Sequence, residues 1–153
     1  MRAATRAYGR LLGDGREELL DLLAKEFPSA TLIEGGHDYA HVVERVSHLI
    51  EHPAGRFELP LDISGGDFEK TALAAVRSTS VLKKPTLLEI TQMIWAPPSA
   101  AVYVADLCAK DTFAVAVPWH RVEGIEGLET GYRWGAERLH KLRRMETMVL
   151  PPS

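Results

Sequence analysis

The sequence predicts an α/β (α+β) chain, with a small N-terminal α/β unit followed by a mostly helical part built around a helix-turn-helix. Three observations carry this. Two early segments bear apolar side chains at helical spacing, each followed by a short extended apolar run. Thr86-Leu87-Leu88-Glu89 forms a capping box, and a Trp-Ala-Pro-Pro break parts the helix it opens from a second one. A final helical segment then closes the chain.

Taken in order, Gly15 to Phe27 carries Leu19, Leu20, Leu22, Leu23 and Phe27 on one face, and Pro28 follows its end. Thr31-Leu32-Ile33 reads as a short strand closed by Gly35-Gly36. Asp38 is placed to cap a helix bearing Val42, Val43, Val46, Leu49 and Ile50, which stops before Pro53 and Gly55. Phe57 to Ile63 alternates apolar and polar residues and reads as a strand. Asp67 is a cap for a helix through Leu73, Val76 and Arg77. The capping-box helix ends near Ile94, and after Trp95-Ala96-Pro97-Pro98 a helix capped by Ser99 runs to about Ala109. Two short helices with a tight break between them make the helix-turn-helix candidate. Phe113 to Val117 reads as a buried strand, Glu126-Gly127 as a turn, and Ala136 to Met145 as the last helix.

Composition bounds the function. The chain has 153 residues, 46% of them hydrophobic, enough to build a core without a covalent staple. One cysteine, Cys108, excludes an internal disulfide and a cysteine-based zinc site, which fits a reducing, cytoplasmic setting. Arg2 and Arg6 are not followed by an apolar stretch, so no signal peptide is read, and no run approaches the length of a membrane span. The formal net charge of -3 argues against tight DNA binding through a broad basic face, while leaving room for a local patch.

Three clusters invite chemistry. His37, Asp38, His41, Glu44 and His48 place metal-ligand types in one stretch, with His37 and His41 four apart. The strong zinc motif of that spacing has a glutamate beside the first histidine, where Asp38 stands here, so a solvated helix face is the reading and no metal is expected. Cys108 lies within the second helix of the pair and reads as a small buried thiol. Arg138, Lys141, Arg143 and Arg144 form the densest basic group, read as a solvated face on the last helix.

The most specific feature is Val117-Pro118-Trp119-His120-Arg121-Val122, followed thirteen residues past Trp119 by Tyr132-Arg133-Trp134-Gly135. This pair resembles the active-site signature of the O6-alkylguanine-DNA alkyltransferases, whose motif is Pro-Cys-His-Arg-Val. The resemblance extends over nearly the whole chain, in the version fused to the bacterial adaptive-response regulator. Leu59-Pro60-Leu61-Asp62-Ile63 is similar to the strand that opens the family's C-terminal domain. It implies a division into residues 1–57, the N-terminal α/β unit, and residues 58–153, the alkyltransferase-like domain.

In that family the motif cysteine takes the alkyl group from the damaged guanine. A histidine deprotonates it through a water, and a glutamate orients the histidine. By resemblance His120 and Glu146 occupy the relay positions, Arg121 the motif arginine, and Tyr132 the tyrosine lining the guanine pocket. Trp119 stands at the acceptor position. An indole has no lone pair free to attack an alkyl carbon, and no thiolate can form there.

The family flips its target base and fills the gap with an arginine from the second helix. Counting back from Trp119, that position is Val102. The tyrosine that rotates the target phosphate corresponds to Leu88, and the asparagine hinge to Asp111. Ala100, Ala101 and Ala105 are the small residues that permit close approach to a groove, and Asp106 sets a carboxylate among them. Alkyltransferase-like proteins give a precedent for tryptophan at the acceptor position. They bind alkylated guanine without repairing it and flag it for excision repair, and they keep the arginine and the tyrosine.

The expectation is therefore a non-catalytic DNA-repair protein, a pseudoenzyme that binds O6-alkylguanine in double-stranded DNA without self-alkylation. Trp119, Arg121, Tyr132, Val102, Leu88, Ala101 and Asp111 are its candidate lesion-binding residues. Two alternatives stay open. One is a repurposed domain that binds a small molecule, or runs other chemistry on His120 and Glu146. The other is a protein-interaction module that no longer binds DNA. No cofactor is expected, and the chain is expected to be a monomer.

Overall fold

The computed structural model describes residues 15–54, 61, 63, 65–111, 113 and 116–148. Among them run six α-helices: α1 (Arg16–Glu26), α2 (Ala40–Glu51), α3 (Asp67–Arg77), α4 (Leu87–Met93), α5 (Ala101–Lys110) and α6 (Ala136–Thr147). Short 3-10 turns at His37–Tyr39, Pro98–Ala100 and Trp119–Arg121 lead into α2, into α5 and through the signature motif. No helix among the described residues is long and apolar enough to cross a membrane.

The strands expected from the sequence are absent where they can be seen. Thr31 to Ile33 carries no regular structure, and its side chains are exposed. A three-residue apolar run becomes a strand only when a neighbour takes its backbone hydrogen bonds, and none is paired with it. Most of the Phe57–Ile63 strand lies outside the described residues; Leu61 and Ile63 pack on the core without forming one. Phe113 is likewise not in a strand: its carbonyl accepts from the Val117 N–H at 3.1 Å, and Ala116 to Pro118 form a turn. Pairing among the described residues is limited to isolated bridges, Thr86 with Glu123 and Ile125 with Leu128 around the expected Glu126-Gly127 turn.

Helix starts show which signals dominate. The capping box at α4 forms in full: Thr86 Oγ1 accepts from Glu89 N–H at 3.2 Å, and Glu89 Oε2 accepts from Thr86 N–H at 2.8 Å. The other expected caps are displaced. Asp38 lies inside the 3-10 turn, and Tyr39 precedes α2. Gly66 precedes α3, leaving Asp67 as its first helical residue, where its charge still favours the helix N-terminus. Ser99 lies within the 3-10 turn that Pro98 begins, so Ala100 precedes α5. Proline's fixed φ starts the turn before the serine can act as a cap. α6 begins after Gly135, whose φ of 92° only glycine adopts without strain.

The main core gathers Leu73 and Val76 from α3, Leu87 and Ile90 from α4, and Ala101, Val104, Ala105 and Cys108 from α5, with Val117, Trp119 and Val122 from the signature segment. α4 packs on both α3 and α5, and α6 packs on the Trp119–Arg121 turn. A smaller cluster joins Leu49 of α2, Trp134 and Leu142, with Leu22 of α1 against it. The apolar face expected on α1 is thus only half covered, and none of its residues is fully buried. Between α4 and α5, Trp95 takes φ 60° with its side chain 96% exposed. For a bulky residue that conformation costs roughly 1–2 kcal/mol.

Candidate functional site

The signature segment turns sharply before it enters the core. Trp119 N–H bonds to Val117 carbonyl at 2.8 Å across Pro118, whose φ of -80° and ψ of 63° define an inverse γ-turn. Proline pre-sets that φ and gives up no donor. The turn drives Trp119, His120 and Arg121 inward together, and all three are buried.

Trp119 is 2% exposed, and its indole Nε1–H donates to Asp111 Oδ2 at 2.7 Å. Asp111 ends α5, and its Oδ1 accepts from Phe113 N–H at 3.3 Å. One carboxylate thus ties the end of α5 to the indole. Cys108, one helical turn earlier, is buried, and desolvation pushes its thiol up to about 12, with the Asp111 charge adding to the effect. A thiol so held stays protonated and unreactive.

His120 is fully buried, with Nε2 2.7 Å from Glu146 Oε1. The same oxygen accepts from Arg121 Nε at 2.8 Å. Burial holds His120 below its ordinary range, and the Arg121 and Arg143 charges push the same way against the opposing pull of Glu146. For Glu146, burial works upward, but the His120 hydrogen bond and then Arg121 outweigh it and hold the carboxyl below its usual range. The consistent state is an ionised Glu146 facing Arg121, with a neutral His120 donating from Nε2. His120 Nδ1, Glu146 Oε2 and the Tyr132 hydroxyl have no hydrogen-bond partner in the protein. Burial raises Tyr132 well above the ordinary phenol range, so it stays a donor.

Arg121 is a structural clamp. Beyond Glu146, its Nη1 donates to Thr79 carbonyl at 2.8 Å and its Nη2 to Pro53 carbonyl at 2.9 Å. Those bonds join α6, the end of α3 and the turn after α2, and they leave Arg121 no open face for a ligand. Arg143 does similar work from α6, donating from Nε to His120 carbonyl at 2.7 Å and from Nη2 to Val122 carbonyl at 3.1 Å. The solvated basic face expected on α6 therefore loses its third member to the site. Sequence reasoning missed this, although Arg143 and Glu146, three apart, had to share a helix face.

The candidate residues on α4 and α5 divide. Val102 is 57% exposed, as a residue meeting a partner must be. Leu88 is half-buried against the core. Ala101 is buried, as are Ala100 and Ala105, so these small residues do not line an approach to a groove. The reason is periodicity: Ala101, Val104, Ala105 and Cys108 form the inward stripe of α5, and Val102, Tyr103 and Asp106 the outward one. The one acidic and one basic residue of that helix, Asp106 and Lys110, pair with each other at 2.8 Å. A groove of about 450 Å³ between α3 and α5 is lined by Phe68, Pro97, Tyr103 and Leu107 among others, and by none of Trp119, His120 or Tyr132. No three His, Cys, Asp or Glu side chains gather into a metal site among the described residues.

Comparison with known proteins points one way. The family model described as 6-O-methylguanine DNA methyltransferase, DNA binding domain, matches residues 67–148. The chain is 31% identical to the bifunctional transcriptional activator/DNA repair enzyme Ada of Escherichia coli, across 89% of this chain and 38% of that protein. It is 30% identical to the methylated-DNA–protein-cysteine methyltransferase of Mycolicibacterium paratuberculosis, across 78% of this chain and 72% of that one. The chain thus spans well under half the length of Ada. Its fold is similar to Mycobacterium tuberculosis OGT in a crystal structure with DNA, with a TM-score of 0.63 and 28% identity over 72% of this chain and 66% of that one.

Proposed function

This chain belongs to the 6-O-methylguanine DNA methyltransferase family, and from that premise we propose that it binds O6-alkylated guanine in duplex DNA without taking the alkyl group onto itself. The observation that carries the second half is the Trp119–Asp111 hydrogen bond. At the position the motif assigns to the alkyl acceptor stands a buried indole with its one polar atom already committed. The chain's one thiol, Cys108, is buried and stays protonated, so it offers no substitute acceptor.

The first half rests on the family and on what the site retains. The His120–Glu146–Arg121 arrangement holds the signature segment in place, with neutral His120 presenting an acceptor at Nδ1. Tyr132 keeps a proton to donate. Both atoms are enclosed in the free chain, so in this reading a base edge meets them only after the signature segment opens. Val102, on the exposed face of α5, is in this reading the apolar side chain that meets the duplex, with α4 and α5 as its DNA-facing pair and residues 58–153 as the DNA-binding domain.

The test compares binding to a short duplex carrying one O6-methylguanine with binding to the undamaged duplex, at low and at physiological salt, followed by mass measurement of the recovered protein. Preference for the damaged duplex with unchanged protein mass is the expected result. A mass gain of one methyl group would overturn the non-catalytic part. Equal, salt-erased binding to both duplexes would overturn lesion recognition.

A further inference from the structure

The last turn of α2 carries a feature that the signature site does not use. His48 lies in the last turn of α2, and His52 is the residue that ends the helix, with a non-helical φ of -131° and ψ of 70°; its N–H still bonds to the His48 carbonyl at 2.8 Å, which keeps the two residues adjacent. Both are exposed, and their rings lie stacked with centroids 4.4 Å apart and planes 26° from parallel. His52 Nδ1 lies 3.2 Å from the His48 backbone carbonyl. A carbonyl oxygen only accepts, so in that bond Nδ1 carries the hydrogen. In the neutral ring the lone pair then sits on Nε2, directed away from the backbone. This is how metal-binding histidines are oriented: one ring nitrogen anchored to a carbonyl, the other free to coordinate.

We propose that His48 and His52 form a two-histidine chelating site for a borderline divalent transition ion such as Zn²⁺, Ni²⁺ or Cu²⁺, which staples the C-terminal turn of α2. Two histidines four apart are the core of helical zinc motifs, and here the second stands at the helix end, stacked on the first. Side-chain rotation closes the stacked rings onto one ion, and water completes the coordination. The run His48-Leu49-Ile50-Glu51-His52 also has the His-x-x-Glu-His order of one zinc-peptidase class. With no third ligand gathered among the described residues, the site is a binding site and not a hydrolytic centre.

The position gives the ion something to act on. His52 is followed directly by Pro53, whose carbonyl receives Arg121 Nη2. An ion bridging positions 48 and 52 fixes the helix end from which that carbonyl projects. It therefore stabilises the folded chain by an amount that grows with the logarithm of its concentration over its dissociation constant.

The test uses the purified chain with metal salts alone. Titration calorimetry and the EPR spectrum of added Cu²⁺ are expected to show one ion held by two imidazole nitrogens. Cu²⁺ should bind more tightly than Ni²⁺ or Zn²⁺, and Mg²⁺ should not bind there. His48→Gln and His52→Gln each turn a chelate into a single ligand and should weaken binding at least about tenfold. Each should also abolish the rise in thermal unfolding temperature produced by Zn²⁺, while His41→Gln, an exposed change on the same helix, leaves both readouts intact. Circular dichroism of each variant confirms that its fold is kept, since both positions are exposed. Binding of undiminished affinity in either His48→Gln or His52→Gln overturns the proposal, as does the lack of any two-nitrogen Cu²⁺ signal in the unaltered chain.

Discussion

The indole of Trp119 and the carboxylate of Asp111 meet at 2.7 Å, across the joint between α5 and the signature segment. The bond satisfies a polar atom that would otherwise be buried without a partner, and it anchors the large ring in the core. Asp111→Ala leaves that N–H unpaired and should cost about 1–3 kcal/mol of stability, whereas Asp111→Asn keeps an acceptor oxygen and should cost less. Urea unfolding followed by tryptophan fluorescence measures both.

Glu146 is the anion between two buried partners, His120 and Arg121. Glu146→Ala strands the Arg121 guanidinium in the core and should destabilise the chain by about 3–5 kcal/mol. Pairing it with Arg121→Met should recover only part of that loss, because the stranded charge goes with it while the Thr79 and Pro53 carbonyls lose their donor. A double-mutant cycle in chemical denaturation gives the coupling directly.

Stability should fall with acid in two steps. His120 is held neutral in the fold, so below its ordinary value of 6.5 the unfolded chain takes up a proton that the folded chain refuses. Glu146 is lowered in the fold, so its contribution is present above its ordinary 4.5 and is lost as pH falls through the folded value. Unfolding midpoints taken from about pH 7.5 into the acid range should show the first decline setting in as pH falls below 6.5 and the second below 4.5. His120→Gln should flatten that first decline and leave the second.

Cys108 should resist labelling. With its thiol pushed up to about 12 and its side chain in the core, iodoacetamide should modify it at the rate of chain opening and not at that of a free thiol. Adding denaturant should release it. Rapid labelling of the native chain would show the core of α5 to be open.

If the α5 face meets DNA, one cation there should be felt. Val102→Arg adds a charge to a helix whose Lys110 is already paired, and it should raise duplex affinity and steepen its salt dependence by about one phosphate contact. Fluorescence anisotropy at several salt concentrations reads both effects, and an unchanged slope would place the duplex elsewhere.

What the sequence made legible was local chemistry. The Thr86–Glu89 box needs only four residues to specify itself, and it forms as read. The pairing of His120 with Glu146 came through the resemblance of the motif, not through spacing, since 26 residues separate them. Ser99 and Asp67 were displaced as caps because proline and glycine neighbours set the backbone first. The Thr31–Ile33 strand does not form because a strand is a property of two segments, and no segment among the described residues pairs with it. The small size of Ala101 fits a groove as well as a helix contact; only the phase of the stripe through Val104 and Cys108 separates the two. Arg143 reads as surface charge until the carbonyls of His120 and Val122 are seen beneath it.

The bond from Arg121 to the Pro53 carbonyl reaches outside residues 67–148, the stretch recognised as the DNA-binding domain. The signature motif is therefore completed by a residue that the recognised domain does not contain. A fragment cut at the domain's edge would carry every residue of the motif and still leave one guanidinium nitrogen without its acceptor. The turn after α2 works as the missing wall of the site, and experiments on the motif need the chain that supplies it.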